Sequence, residues 1–112
     1  MPIINVVVAT EEQRAHLLTH CTELKHFLAR ELSCDKIELA SADFTLWIFV
    51  MPREGRLADV ELLITAHAFP ERVERQDSAC FNIEGFMKAN LGLDAKAWLA
   101  LCELGHNINL IS

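Results

Sequence analysis

Clusters of positive charge are missing from this sequence of 112 residues. Its ten lysines and arginines are scattered singly, and the net charge is −6 at pH 7. Phosphate backbones and anionic membrane surfaces are bound through clustered Lys and Arg, so we expect no nucleic acid and no membrane as a partner. An uninterrupted apolar run long enough to span a bilayer is also missing.

Glycine and cysteine are both scarce, with four residues of each. The sequence has no glycine-rich phosphate loop, because no strand-to-helix turn contains any of its glycines, which are Gly55, Gly85, Gly92 and Gly105. The cysteines form no CxxC pair, and the first strand starts without room for a signal peptide before it. We therefore expect reduced thiols in the cytoplasm, rather than the two disulfide bridges of a secreted protein.

The first half of the sequence predicts a strand, a helix and a second strand. Residues 3–8 form a β-branched run, and Thr10 with Gln13 fits a capping box that opens a helix running to Leu32. Apolar residues recur along this helix at helical spacing: Leu17, Leu18, Cys21, Leu24, Leu28 and Leu32. Residues 37–50 are predicted to be extended, with a bend or bulge at 41–43.

The second half repeats this order. Residues 60–65 predict a strand that reaches Ala68 at most, and Pro70 suits the first turn of a second helix. Gly92 can end this helix in the left-handed conformation, and residues 95–104 predict the last strand. The apolar face of the helix consists of Val73, Cys80, Ile83, Phe86, Met87 and Leu91.

Two right-handed βαβ halves in one sheet predict a single α/β domain over residues 1–112. The expected architecture is a two-layer α+β sandwich, with a four-stranded mixed sheet and two helices on one face. The strands are apolar on both sides, and two helices cover only one of these sides. We therefore predict an oligomer that buries the other face.

Two stretches resemble known proteins. Met1-Pro2-Ile3-Ile4, followed by Glu11-Glu12-Gln13, is similar to 4-oxalocrotonate tautomerase, and the duplicated layout resembles the tautomerase superfamily, which includes macrophage migration inhibitory factor. Val60-Glu61-Leu62-Leu63, leading to Phe69 and then Gln76-Asp77, is similar to a family of uncharacterised bacterial proteins in that superfamily, which is the nearer match. The resemblance implies a homotrimer, no cofactor, a small carbonyl substrate, and an N-terminal proline in a cleft between subunits.

Pro2 is the candidate catalytic residue. Met before Pro is normally removed, which leaves a secondary amine that modest desolvation keeps neutral near pH 7. A neutral amine can act as a general base on a carbon acid or as a nucleophile on a carbonyl. The alternative is that a Met-Pro opening occurs by chance and has no catalytic meaning.

The sequence departs from 4-oxalocrotonate tautomerase at both of that family's arginines. The link between the first strand and helix is Ala9-Thr10 instead of Gly-Arg, and Glu38 aligns with the second arginine and reverses its charge. Binding of a dicarboxylate is therefore not expected. Trp98 aligns with an aromatic residue of macrophage migration inhibitory factor, and either lines the cleft or packs in the core.

Other side chains are candidates for substrate binding. Arg53, Arg56 and Arg72 are the remaining cations that could serve a cleft, the alternative being a solvated surface charge. His67, at the end of the third strand, could donate a hydrogen bond or move a proton, the alternative being a structural histidine.

A metal site is not expected. His16 and His20 have the spacing of two ligands on one helix, but the Glu of an HExxH motif is missing.

Two functions follow. The first is a cofactor-free tautomerase or isomerase with Pro2 as general base and with Glu38, His67, Arg72 and Trp98 around a small keto-enol substrate. The alternative is a non-catalytic trimer of the same fold with a binding or regulatory role.

Overall fold

The computed structural model describes residues 2–33, 40 and 44–102. Strand, helix and strand follow one another twice, as the sequence predicts, but each helical segment is divided in two. The elements are β1 (Ile3–Val8), α1 (Glu11–Thr19), α2 (Cys21–Leu32), β2 (Leu46–Val50), β3 (Val60–His67), α3 (Pro70–Glu74), α4 (Gln76–Leu91) and β4 (Ala95–Cys102).

The four strands form one mixed sheet in the order β2-β1-β3-β4. β1 runs parallel to β2, and β3 runs parallel to β4, so each half is a βαβ unit. The halves join through the antiparallel pair β1–β3 at the centre. The predicted fold class is therefore confirmed.

The helices cover one face of this sheet. Alternate residues of the two central strands are buried beneath them: Ile4, Val6 and Val8 of β1, and Val60, Leu62, Ile64 and Ala66 of β3. The helices contribute buried Leu17, Leu24, Leu28, Leu32, Ile83 and Met87 to the same core. None of the described helices is long and apolar enough to cross a membrane.

The opposite side of the sheet is rich in exposed apolar side chains. We call it the open face: Ile3, Asn5, Val7, Trp47, Phe49, Glu61, Leu63, Thr65, His67, Lys96, Trp98, Ala100 and Cys102. Large side chains on it are about half exposed, including Ile3 (54%), Trp47 (55%), Phe49 (46%) and Trp98 (43%). The expectation that the helices leave one apolar face uncovered is therefore correct.

The first helical segment opens with the predicted capping box of Thr10 and Gln13. It is interrupted at His20, whose backbone N–H is shared between the carbonyls of His16 and Leu17, each at 3.2 Å. The preceding Thr19 hydroxyl donates to the Ala15 carbonyl at 3.0 Å, a contact that often bends helices. One continuous helix was therefore a wrong prediction, as was burial of Leu18, which is 49% exposed.

The second helical segment is interrupted at Arg75, between α3 and α4. The prediction placed Val73 on the apolar face of one continuous helix. Because the break at Arg75 changes the helical phase between α3 and α4, Val73 is instead 52% exposed. Pro70 does occupy the first turn of α3, and Gly92 ends α4 in the left-handed conformation with φ of 68°.

Within the described residues, one strand is shorter than predicted. β2 begins at Leu46, although the preceding Phe44 is buried in the core. The predicted bulge at 41–43 and the predicted end of the last strand at 103–104 lie outside the described residues.

Side chains of α4 cover the outer edge of β4. The Glu84 carboxylate accepts the Ala97 backbone N–H at 2.9 Å, and the Gln76 amide donates to the Leu99 carbonyl at 2.6 Å. Exposed strand edges are templates for pairing with other chains, so these bonds protect this edge of the sheet.

Two glycine substitutions should change stability in opposite directions. We expect Gly92→Ala to lower the free energy of unfolding by about 1 kcal/mol, because a left-handed φ strains any residue with a Cβ. Gly85→Ala should raise it by up to about 1 kcal/mol, since Gly85 lies inside α4 and an added Cβ meets no atom within 4 Å. Urea unfolding of both variants measures the effects, and a shift of the same sign would contradict this account of the C-cap.

Candidate functional site

The register of the central strand pair brings Pro2 to the end of β3. Ile3 lies opposite Thr65 in the antiparallel pair, so Pro2 lies one step farther along, beside the last residues of β3. Pro2 is buried. His67 ends β3 and pairs in register with Cys102 at the end of β4. Pro2, His67 and Cys102 therefore share one end of the sheet.

His67 has an imidazole nitrogen without a hydrogen bond. Its Nδ1 atom is buried and has no partner among the described residues, which is unusual for a buried polar atom. Burial lowers the pKa of His67, and the positive charges of the chain's amino terminus and of Arg72 lower it further. The ring is therefore neutral at pH 7, and Nδ1 is free to donate or accept according to the tautomer.

Arg72 is a buried charged residue on α3, and its side chain is engaged with the backbone. The residue is 5% exposed. Its Nε donates to the Leu32 carbonyl at 2.9 Å, and its Nη1 donates to the His67 carbonyl at 3.2 Å. The guanidinium also lies 5.2 Å from the centre of the Phe69 ring. The alternative of a solvated surface charge is therefore wrong for Arg72.

Arg53 and Arg56 lie at the other end of the sheet. Both belong to the connection between β2 and β3, which leaves the sheet where β1 ends, opposite the end that begins with Pro2. Arg56 donates to the carbonyls of Val7 (3.3 Å), Met51 (2.6 Å), Pro52 (3.3 Å) and Asp59 (3.2 Å). Arg53 pairs with the Asp59 carboxylate at 3.2 Å. Neither arginine therefore joins Pro2 within one chain.

Trp98 does not meet Pro2 within one chain either. It pairs with Leu63, which pairs with Asn5, so it lies about 10 Å across the sheet and about 10 Å along the strands from Pro2. The Lys96 ammonium lies 5.2 Å from the centre of the Trp98 ring. Beside them, a groove of about 340 Å³ runs between α4 and β4, lined by Gln76, Asp77, Cys80, Phe81, Glu84, Lys96, Ala97, Trp98 and Leu99. The remaining candidate, Glu38, lies outside the described residues.

The histidine pair of the first helical segment is used for other contacts. The His16 Nε2 atom lies 2.8 Å from the Leu91 carbonyl, and it must carry the hydrogen because a carbonyl only accepts. His20 faces Glu23 across 3.5 Å. No group of three or more His, Cys, Asp or Glu side chains within the described ranges could hold a metal ion.

Phe69 is the residue of this site that sequence reasoning missed. It precedes α3 as its N-cap, and its ring contacts both the Arg72 guanidinium and the His67 imidazole. The spacing of Phe69 and Arg72 was a usable signal, because positions three apart at a helix start are neighbours on one face.

Comparison with known proteins supports the fold. The sequence matches no family model and no curated protein. Malonate semialdehyde decarboxylase aligns with a TM-score of 0.62 and 11% identity, covering 90% of this chain and 84% of that chain. A macrophage migration inhibitory factor-like protein from Entamoeba histolytica aligns at 0.61 and 9% identity, covering 94% and 91%. A fused 4-OT, a symmetric trimer, aligns at 0.61 and 13% identity, covering 93% and 90%. These solved structures share the fold that the resemblance predicts, and at 9–13% identity the fold is what they establish.

The lowered pKa of His67 should make stability depend on pH. The folded chain releases the His67 proton more readily than the unfolded chain, whose ordinary pKa is 6.5. The lowered pKa of His67 therefore contributes to the free energy of unfolding above pH 6.5, and this contribution is lost as the pH falls below 6.5. We expect the free energy of unfolding to fall by at most about 1.4 kcal/mol per pH unit from this group.

Urea titrations between about pH 5 and pH 7.5 measure this slope. The slope should be smaller in His67→Gln and unchanged in His26→Gln, which replaces an exposed histidine of α2. Equal slopes in the wild type and His67→Gln would show that this ring has an ordinary pKa.

Proposed function

We propose that this chain is a cofactor-free tautomerase or isomerase that acts on a small keto-enol substrate, with the Pro2 amine as general base. The observation that carries the proposal is the position of Pro2, buried at the start of β1 beside the end of β3, where His67 has a nitrogen without a partner. The malonate semialdehyde decarboxylase of similar fold was studied with its first-position proline replaced by alanine, in connection with decarboxylase and hydratase activities.

The Pro2 amine has the environment that a base needs. Once Met1 is removed, the nitrogen is a secondary amine, and burial of Pro2 disfavours its charged form. It takes the proton from the carbon next to the substrate carbonyl, and the electron pair of that C–H bond forms the enolate. The proton then passes from the Pro2 ammonium to the enolate oxygen, which gives the enol, or in a conjugated substrate to the carbon at the other end of the system, so no proton or electron is lost.

The enolate oxygen needs a hydrogen-bond donor, and His67 supplies it in this proposal. A neutral imidazole N–H can donate to developing negative charge without titrating in the physiological range. Arg72, with its positive charge at the same end of the sheet, favours that charge. Glu38, which stands where a related family has arginine, disfavours a dicarboxylate. The substrate class is therefore an uncharged or singly charged carbonyl compound.

The proposed assembly is a homotrimer in which the open faces of the subunits meet. About half-exposed Trp47, Phe49 and Trp98 are costly to leave in water, and fused 4-OT proteins of similar fold are symmetric trimers. A neighbouring subunit would bring Trp98 to the cleft that one chain cannot complete. Cys21, Cys80 and Cys102 are free thiols, which suits the cytoplasm.

The alternative function is a non-catalytic trimer with a binding or regulatory role. The observation that favours it is the use of Arg72, whose Nε and Nη1 both donate to backbone carbonyls instead of pointing to a cleft. A cleft in which these two donors are engaged by the protein can retain a ligand pocket without catalysing a reaction.

Replacing the proline should separate the two functions. We expect Pro2→Ala to lower the tautomerase rate with phenylpyruvate or a hydroxymuconate by at least about tenfold, because general-base catalysis contributes about 10²–10⁴ in rate. Pro52→Ala changes an exposed loop proline and should leave the rate unchanged. Ultraviolet absorbance follows the reaction.

Equal rates for the wild type and Pro2→Ala would refute the proline mechanism. Intact-mass measurement of the same samples tests its premise, because a retained Met1 blocks the amine. In that case the catalytic proposal fails, and the binding role remains.

Charge on the open face should prevent assembly. We expect Phe49→Glu to give monomers in light scattering, because a carboxylate would be buried between subunits without a partner. Leu18→Glu is the matched control, since Leu18 is 49% exposed on α1, in the helix layer on the other side of the sheet. A monomeric wild-type protein at micromolar concentration, or an oligomer unaffected by Phe49→Glu, would contradict the proposed interface.

A further inference from the structure

We infer that Arg72 is a positioning residue, which holds the His67 ring at the end of β3 rather than contacting the substrate. The importance of this ring for catalysis rests on the proposed function. The contacts that position it do not depend on that proposal.

The first contact is with the backbone of His67. The His67 carbonyl accepts two hydrogen bonds, from Arg72 Nη1 at 3.2 Å and from the Phe69 backbone N–H at 3.1 Å. The next residue, Ala68, donates its N–H to the Cys102 carbonyl at 2.8 Å. The end of β3 is therefore fixed on both sides, by α3 and by β4, at the residue that carries the imidazole.

The second contact passes through an aromatic ring. The Arg72 guanidinium lies 5.2 Å from the centre of the Phe69 ring. Phe69 in turn packs edge to face against the His67 ring, with centroids 6.1 Å apart and planes at 67°. Arg72 thus orients the backbone of His67 directly and its side chain through Phe69.

The same guanidinium ties this end of the sheet to the helix layer. Its Nε donates at 2.9 Å to the carbonyl of Leu32, the last residue of α2. The carbonyls at a helix C-terminus lack partners within the helix and carry partial negative charge, so a buried cation is stabilised there. An arginine suits this position better than a lysine, because its fork directs donors to two different carbonyls.

This geometry predicts a role that a substrate-binding arginine would not have. Nε and Nη1 are directed to carbonyls of the protein, while the charge of the guanidinium lowers the pKa of His67. The charges of Arg72 and of the amino terminus both lower the pKa of His67. Removing Arg72 should therefore change the titration and the orientation of His67 even when no substrate is present.

The test is an NMR titration of the His67 ring in Arg72→Met, Arg72→Lys and the wild type. We expect His67 to titrate at a higher pH in Arg72→Met, because one of its neighbouring positive charges is gone. Its ring contacts with Phe69 should weaken in nuclear Overhauser spectra. In Arg72→Lys the pH at which His67 titrates should return part of the way to the wild-type value, but the ring contacts with Phe69 should stay weak. Arg75→Met is the matched control, since Arg75 is an exposed neighbour that pairs with Glu31, and should change neither.

Phe69→Leu keeps the inference testable if Arg72→Met does not fold. It removes only the aromatic contact and should alter the orientation of the His67 ring with Arg72 present. Unchanged titration and ring contacts of His67 in both Phe69→Leu and the folded Arg72 variants would overturn the inference. The NMR titration and the ring contacts can be measured without enzymatic activity. An inactive wild-type protein would therefore refute the proposed function and leave this inference standing.

If the wild type is active, the kinetics give a second readout. A positioning role predicts that Arg72→Met lowers kcat by about tenfold or more with little change in KM. A rise in KM at unchanged kcat would instead indicate direct substrate binding and overturn the inference.

Discussion

The antiparallel pairing of β1 with β3 is the constraint on which the rest of the structure depends. Each half contains its own parallel strand pair, and the antiparallel pairing of β1 with β3 joins the two halves into one sheet. Buried residues of the pair, such as Val6 and Leu62, form the centre of the core. Since side chains alternate between faces, a slip of one residue would exchange the buried and exposed sets. The same register fixes Pro2 beside the end of β3, so stability and site geometry have one origin.

Much of the fold could be predicted because its signals are local. Thr10 and Gln13 are three residues apart and form their capping box without help from the rest of the chain. Pro70 and Gly92 mark a helix start and a helix end through their own backbone preferences. The β-branched strand 3–8 has the same local character. The order of the strands has no local signal, because it depends on contacts between residues far apart in sequence.

The site could be predicted only in part, and for the same reason. His67 and Pro2 could be singled out by their chemistry, but their proximity follows from the register of β1 on β3. The burial of Arg72 depends on Leu32, forty residues away, whose free carbonyl it meets. Trp98 was predicted from a resemblance to a trimer, and one chain does not bring it to Pro2.

The duplicated layout gives the sheet two ends that are built alike and differ in chemistry. Gln13 is the third residue of the helix after β1, and Arg72 is the third residue of the helix after β3. Gln13 folds back on the start of its own helix, where it accepts the backbone N–H groups of Ala9 and Thr10, whereas Arg72 turns into the interior. Asp59 precedes β3 as Pro2 precedes β1, and it pairs with Arg53. The backbone thus offers two equivalent positions, but only one of them carries a proline, so the proposed function assigns one proline centre to each chain.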